Sequence, residues 1–137
     1  MQPVEIRVYY EDTDGGGVVY YANYLRYLER ARTEYLRERG VNLASLIERG
    51  YTFVVKAVQV SYIAPARYND LLTVETDLAP GKVRLRFTHS IGREGTLIAR
   101  ASCDLACVGK SGKPVRIPED VNRSLSGEKA RGMSITL

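Results

Sequence analysis

Hydrophobic and polar residues alternate with a period of two in five separate stretches of the chain, as they do in strands that bury one face. The first stretch is Val4 to Val8, and the others cover 54–62, 72–78, 83–91 and 97–107. Turn residues separate the later stretches, for example Pro80-Gly81 and Gly92-Arg93-Glu94-Gly95. Because these connections are short, the later strands are predicted to pair antiparallel.

Between the first and second stretches the apolar residues recur every three or four positions, which predicts one long helix from about Tyr20 or Tyr21 to Arg39. Gly40 follows in the usual position past a helix end. Shorter helices are predicted for 42–49 and, more weakly, for 118–125, and the polar tail after Gly127 is expected to fray. The apolar stripe of the long helix consists of Tyr21, Tyr24, Leu25, Leu28, Ala31, Tyr35 and Leu36.

These elements predict a single α+β domain over residues 1–137, a length that allows a sizeable core. The long helix is expected to cover one face of an antiparallel sheet of about five strands. The other face carries Ala, Ser, Thr and charged side chains, with little inside one chain to cover it. Such an arrangement leaves part of the surface for a second copy of the chain to complete.

Composition narrows the class of protein. No apolar run approaches the ~18 residues of a membrane span, and the N-terminus shows no secretory signal, so a cytoplasmic protein is expected. The net charge of +4 favours anionic partners. Its basic residues are dispersed among acidic ones and no nucleic-acid-binding motif is present, so nucleic acid is not an expected partner.

The two cysteines, Cys103 and Cys107, lie four residues apart on one predicted strand. At ~3.3 Å per residue they are ~13 Å apart, too far for a disulfide. With His89 as the single histidine, no zinc site is expected. All three side chains are interpreted as buried, with His89 in the core or an interface.

Candidate chemistry is concentrated in the segment between the first strand and the long helix. There Asp12, Thr13 and Asp14 precede three consecutive glycines. This order places a carboxylate beside the free N–H groups of a helix start. Those groups, with the helix dipole, favour an anion or a developing oxyanion.

The string YYEDTDGGGVVYYANYLRYLERARTEYL, residues 9–36, resembles the signature of YbgC-like acyl-CoA thioesterases, which are related to the 4-hydroxybenzoyl-CoA thioesterases. The resemblance continues in SYIAPARYND, residues 61–70, and covers nearly the whole chain. It implies the hot-dog fold, in which the sheet wraps around one long central helix. It also implies a homodimer, with a tetramer built as a dimer of dimers. The implied reaction converts an acyl-CoA to a free acid and CoA, with no metal and no cofactor apart from the coenzyme A of the substrate.

The resemblance places the catalytic carboxylate at Asp14, as general base for water or as nucleophile giving an anhydride. The backbone N–H near Tyr21 would polarise the thioester carbonyl. Many YbgC-like members carry His at the position of Tyr21, whereas the hydroxybenzoyl type carries Tyr, as this chain does. Without the family resemblance, Asp14 is interpreted as an Asx-turn or helix-capping residue, and Tyr21 is interpreted as a core or groove aromatic.

Substrate binding is assigned to residues near the loop and to basic residues for the phosphates of CoA. The candidates are Gly17, Tyr20, Asn23, Arg67, Lys82, Arg84, Lys113 and Arg116. For the basic residues the simpler interpretation is a solvated surface, and for Asn23 it is a helix cap. Glu29 is expected to pair with Arg30 or Arg32 rather than to face a partner's site.

Two other functions stay open. An acyl-carrier-protein thioesterase would use the basic surface to bind an acidic carrier. A non-catalytic hot-dog scaffold would keep the fold and bind a partner protein, and its function would survive Asp14→Ala.

Overall fold

The computed structural model describes residues 3–126, so the tail predicted after Gly127 lies outside the described residues. The elements are β1 (Val4–Arg7), α1 (Asn23–Glu38), α2 (Leu43–Glu48), β2 (Thr52–Tyr62), β3 (Leu71–Pro80), β4 (Arg84–Arg93) and β5 (Thr96–Val108). A single 3₁₀ turn over Tyr10–Asp12 precedes α1, and the chain is helical again over 119–126. The predicted strands and helices are therefore present, with ends shifted by at most three residues.

The five strands form one antiparallel sheet in the order β1-β3-β4-β5-β2. Within residues 3–126, β2 pairs with β5 alone, so one edge of this 11-residue strand has no neighbour. Val55 and Val58 of β2 are exposed. A long edge strand with exposed apolar side chains is a surface at which another strand can pair.

Helix α1 packs against one face of the sheet. Tyr27 and Leu28 are almost fully buried there, and each stabilises the fold by about 2 kcal/mol. The Tyr35 ring meets Phe87 of β4 edge-on at 5.7 Å between centroids. Gly40, at φ +80°, ends the helix in the left-handed conformation that glycine adopts readily. The predicted α+β architecture, with five antiparallel strands and one long helix on the sheet, is confirmed.

The predicted burial of His89, Cys103 and Cys107 is also confirmed. The His89 ring stacks on Phe87, and its Nδ1 lies 3.0 Å from Thr76 Oγ1. Burial, together with the positive charge of Arg32, lowers the pKa of His89 to about 4. His89 is therefore neutral at pH 7.

Arg32 is buried although it lies on a helix rich in Arg and Glu. It turns towards the sheet and donates a hydrogen bond from Nη1 to Cys103 Sγ at 3.2 Å. Among the ion pairs of residues 3–126, none joins Glu29 to Arg30 or Arg32. The predicted pairing of Glu29 is wrong, because Arg32 is directed beneath the helix rather than along its surface.

Candidate active site

A tight loop over residues 14–19, here called the glycine loop, presents Asp14 at its start. The loop closes through an antiparallel bridge between Thr13 and Val19 and through an Asp14 N–H bond to the Val18 carbonyl at 3.0 Å. Gly15 and Gly17 have φ values of +86° and +93°, which are accessible to glycine at little cost. The loop leaves the Asp14 side chain exposed.

One oxygen of the Asp14 carboxylate is held by the loop itself. Oδ1 accepts a hydrogen bond from the Gly16 N–H at 2.6 Å, which is the geometry of an Asx-turn. Oδ2 accepts no hydrogen bond from any residue within 3–126. The turn orients the carboxylate and leaves one oxygen for water or substrate.

Asp12, which is not among the site residues predicted from the sequence, connects this loop to the start of α1. Its side chain is buried, and Oδ2 accepts hydrogen bonds from the Tyr9 N–H at 2.9 Å and from the Tyr27 hydroxyl at 3.0 Å. Its carbonyl oxygen accepts from the Tyr20 N–H at 2.9 Å and from Asn23 Nδ2 at 2.7 Å. The two aspartates of the Asp-Thr-Asp sequence therefore differ in environment: Asp12 is buried and anchors the loop, whereas Asp14 is exposed.

The start of α1 lies two or three residues later than predicted, at Asn23. Tyr20 to Ala22 form a turn, in which the Asn23 N–H donates to the Tyr20 carbonyl at 2.8 Å. The N-cap is Ala22 and makes no side-chain capping bond. The predicted capping role of Asn23 is therefore wrong, since its side chain is bonded to Asp12.

Two amide donors at this turn are free. Within residues 3–126, no acceptor is hydrogen-bonded to the N–H of Tyr21 or to the N–H of Ala22. The Tyr20 and Tyr21 rings, both exposed, lie 4.8 Å apart between centroids. Uncapped N–H groups at the start of a helix favour negative charge.

The connection over residues 63–70, between β2 and β3, supports the glycine loop from the other side. Its Ala66 carbonyl accepts from the Val19 N–H at 2.8 Å, and the Tyr68 N–H donates to the Gly17 carbonyl at 3.3 Å. Arg67 forms a bridge with Val18 and is exposed. The structure therefore brings Arg67 beside the loop, together with Gly17, Tyr20, Tyr21 and Asn23.

An ion pair fixes the same connection to β4. Arg93 Nη1 lies 2.7 Å from Asp70 Oδ2 and donates to the Pro65 carbonyl at 2.9 Å. Partial burial raises the pKa of Asp70. The hydrogen bonds from the Arg67 N–H and from Arg93 outweigh that effect, so the net pKa of Asp70 is below its usual value. Asp70 is therefore ionised at neutral pH and holds the connection in place.

The other predicted substrate-binding residues lie at the opposite end of the sheet. The glycine loop is at the end where β2 stops and β3 begins, whereas Lys82 and Arg84 lie where β3 stops and β4 begins. Along a ten-residue strand such as β4 the two ends are about 30 Å apart. Within one chain these residues do not approach Asp14. We call Lys82, Arg84, Lys113 and Arg116 the far-end basic cluster.

A groove of about 550 Å³ runs through this end of the molecule, and Lys82 and Arg116 both line it. The Ile117 N–H donates to the Lys82 carbonyl at 2.8 Å, which keeps the two segments together.

Between residues 3 and 126, no group of three or more His, Cys, Asp or Glu side chains is placed to hold a metal ion. None of the helices described has the length and apolarity of a membrane span.

Known proteins of similar sequence and structure share this arrangement of elements. A family model described as the thioesterase-like superfamily matches residues 8–125. The acyl-CoA thioesterase YbgC of Haemophilus influenzae is 44% identical over 120 residues, which cover 85% of this chain and 88% of that protein. A hypothetical protein from Thermus thermophilus, 34% identical, superposes with a TM-score of 0.88 over 93% of this chain and 98% of its own. The DHNA-CoA thioesterase of Staphylococcus aureus, 27% identical, gives a TM-score of 0.89 over 97% of this chain and 93% of its own.

Proposed function

This chain belongs to the thioesterase-like superfamily and is a thioester hydrolase of hot-dog fold, and we propose that it hydrolyses an acyl-CoA thioester to a free acid and CoA. The observation that carries the proposal is the joint placement of a carboxylate and free amide donors. Asp14 is exposed at the start of the glycine loop. Asp12 ties that loop to the turn that holds the Tyr21 N–H, which has no acceptor in the part of the chain that the structure describes.

In the proposed reaction the N–H of Tyr21 donates to the thioester oxygen as negative charge develops on it. Asp14 acts at the carbonyl carbon in one of two ways. As general base it removes a proton from the attacking water. As nucleophile it bonds to the carbon and forms an anhydride, which water then cleaves. In both routes the C–S bond breaks and CoA leaves as the thiolate.

The free edge of β2 supports a homodimer as the functional unit. In a two-fold dimer, antiparallel pairing of β2 with its copy places the Tyr62 end of one strand beside the Thr52 end of the other. The Thr52 end belongs to the half of the sheet that carries the far-end basic cluster. Each Asp14 would then lie near the basic cluster of the partner, which suits the phosphates of CoA. A tetramer and a cytoplasmic location stay predictions.

Thiol release from a panel of short, long and aromatic acyl-CoAs tests the reaction, with wild type and Asp14→Asn assayed in parallel. We expect the variant to lose about 10²- to 10⁴-fold in kcat while its thermal unfolding is unchanged, because Asp14 is exposed. Glu11→Gln is the matched control, since Glu11 is an exposed carboxylate three residues earlier. Equal turnover by wild type and Asp14→Asn would contradict the assignment of Asp14.

A failure of wild type on every CoA ester would instead favour the other two functions. Salt-sensitive turnover of an acyl-carrier-protein thioester would support the carrier-protein substrate. Binding of a partner protein that survives Asp14→Ala would support the scaffold.

Mixed dimers test the division of the site between two chains. Asp14→Asn and a Lys82→Glu/Arg116→Glu double variant are each expected to be nearly inactive. When the two are unfolded together and refolded, half of the dimers are mixed and each mixed dimer has one intact site. Activity should return to about one quarter of the wild-type level. No recovery, with mixed dimers present by mass spectrometry, would show that each site is built from one chain.

A further inference from the structure

The Ala22 amide, the second one without an acceptor between residues 3 and 126, belongs to a peptide group whose carbonyl oxygen already accepts a hydrogen bond. This carbonyl is that of Tyr21, and it accepts a hydrogen bond from the Tyr62 hydroxyl at 3.0 Å. A hydrogen bond accepted by the oxygen of a peptide group polarises the group and makes its N–H a stronger donor. Tyr62 therefore acts on the Ala22 N–H from the opposite side of the same peptide.

The neighbouring amide is polarised in the same way from within the turn. The Tyr21 N–H shares its peptide group with the Tyr20 carbonyl, which accepts from the Asn23 N–H at 2.8 Å. By contrast, within residues 3–126 the only backbone donor to the Tyr21 carbonyl is the Tyr24 N–H at 3.4 Å, a long bond. The Tyr62 hydroxyl thus makes the shorter contact to this carbonyl.

The position of the Tyr62 side chain is fixed by its neighbours. Tyr62 is the last residue of β2, and its ring meets the buried Tyr24 ring edge-on at 5.1 Å between centroids. The Tyr24 hydroxyl in turn accepts from the Ala66 N–H at 3.2 Å. Partial burial, with smaller effects of Tyr24 and Tyr21, raises the pKa of Tyr62, so the hydroxyl keeps its proton at neutral pH.

We propose that Tyr62 is a positioning residue for thioester hydrolysis, which holds and polarises the peptide between Tyr21 and Ala22 so that the Ala22 N–H joins the Tyr21 N–H in binding the oxyanion. This inference rests on the proposed function. Tyr62 does not touch the substrate in this role. Since the oxygen carries more negative charge in the transition state than in the substrate, the contribution falls on kcat rather than KM.

The test compares Tyr62→Phe with Tyr10→Phe, an exposed tyrosine whose hydroxyl makes no hydrogen bond within residues 3–126. We expect Tyr62→Phe to lower kcat about three- to tenfold with KM unchanged, and Tyr10→Phe to match wild type. In a ¹H–¹⁵N spectrum, the Ala22 amide resonance should move in Tyr62→Phe and stay in place in Tyr10→Phe.

An unchanged kcat in Tyr62→Phe overturns the inference, and so does a raised KM with unchanged kcat, which would make Tyr62 a substrate contact. If wild type hydrolyses no thioester at all, the proposed function fails separately. The Ala22 resonance of Tyr62→Phe then tests whether Tyr62 polarises the Tyr21–Ala22 peptide. An unmoved resonance overturns that contact, and a moved resonance supports it.

Discussion

The Tyr27 hydroxyl donates a hydrogen bond to the buried carboxylate of Asp12 at 3.0 Å, and this contact joins the segment before the glycine loop to the second turn of α1. Burial and the bond to Asp12 raise the pKa of Tyr27 well above its usual value, so the donor keeps its proton. Asp14 is two residues from Asp12 and Tyr21 is six residues before Tyr27. The contact therefore helps to set the distance between the carboxylate and the amide donors.

Tyr27→Phe should destabilise the protein and slow catalysis. The substitution leaves the buried Asp12 carboxylate with one donor fewer, which costs about 1–3 kcal/mol in the free energy of unfolding. Urea unfolding measures that loss, and a looser glycine loop should lower kcat more than it raises KM. Tyr68→Phe is the control, because Tyr68 is exposed and its hydroxyl makes no hydrogen bond in the described part of the chain. Equal stability of the two variants would contradict the role given to Tyr27.

Gly16→Ala should reduce turnover without unfolding the loop. A Cβ atom at this position would lie 3.1 Å from Asp14 Oδ1, closer than an ordinary contact, so the carboxylate must shift by a few tenths of an ångström. Small displacements of a reacting group lower the rate, here by about tenfold in kcat. Gly92→Ala serves as control, since its Cβ would meet the Thr96 carbonyl oxygen at 3.4 Å, an ordinary contact that does not involve Asp14. Thiol-release kinetics of the two variants test this prediction. Equal rates for Gly16→Ala and Gly92→Ala would contradict the expected effect of displacing Asp14.

His89 should make the protein sensitive to acid between about pH 6.5 and pH 4. The unfolded chain binds a proton on this histidine near pH 6.5, whereas the folded protein does so only near pH 4. In that window the unfolded state holds more protons, so stability falls as the pH falls, by about 3 kcal/mol in all. His89→Gln, which keeps a polar partner for Thr76, should lose this part of the dependence.

Urea unfolding at pH 7 and pH 4 measures the difference. Asp70 affects stability at lower pH than His89 does. The stabilisation by the ionised Asp70 carboxylate is complete above the pKa of this residue in the unfolded chain, near 3.9, and is lost as the pH falls through the lower pKa of the folded protein. A wild-type stability that is flat from pH 6.5 to pH 4 would contradict the assignment to His89.

The two cysteines should be unreactive in the folded protein. Burial raises the pKa of the Cys107 thiol, and it raises that of Cys103 despite the opposing charge of Arg32. The thiolate is the reactive form, so a disulfide reagent should label neither residue until guanidinium chloride unfolds the chain. Rapid labelling of the native protein, with its activity intact, would show that one thiol is accessible.

The strands and α1 were predictable because each buries one face, and burial imposes a period of two or of three to four on the sequence. The turn over Tyr20 to Ala22 was not predictable, because its apolar residues continue the three- to four-residue period of the helix. The sequence predicts a cap at Asn23, because the acceptor of its side chain, the Asp12 carbonyl, lies eleven residues earlier and is brought close by the glycine loop. The charged neighbours of Arg32 in sequence predict its pairing with Glu29, and no local pattern indicates that Arg32 is buried.

The division between the glycine loop and the far-end basic cluster could not be read from alternation, because alternation identifies strands without giving their order. It follows from the order β1-β3-β4-β5-β2 and from which strand ends meet. The catalytic assignment of Asp14 came from family resemblance and stays a prediction. The geometry adds Asp12 and Tyr62, whose roles depend on contacts across 15 and 41 residues of sequence.

The place of β2 at the edge of the sheet has a consequence for the nascent chain. Its partner β5 is made later, with Tyr62 pairing with Ala99 and Thr52 with Val108. As the ribosome releases the chain, β2 must wait for β5, and until then neither of its edges is paired within residues 3–126. The hydrogen bond from Tyr62 to Tyr21 depends on that pairing, so the turn over Tyr20 to Ala22 is completed only after Val108 has been synthesised.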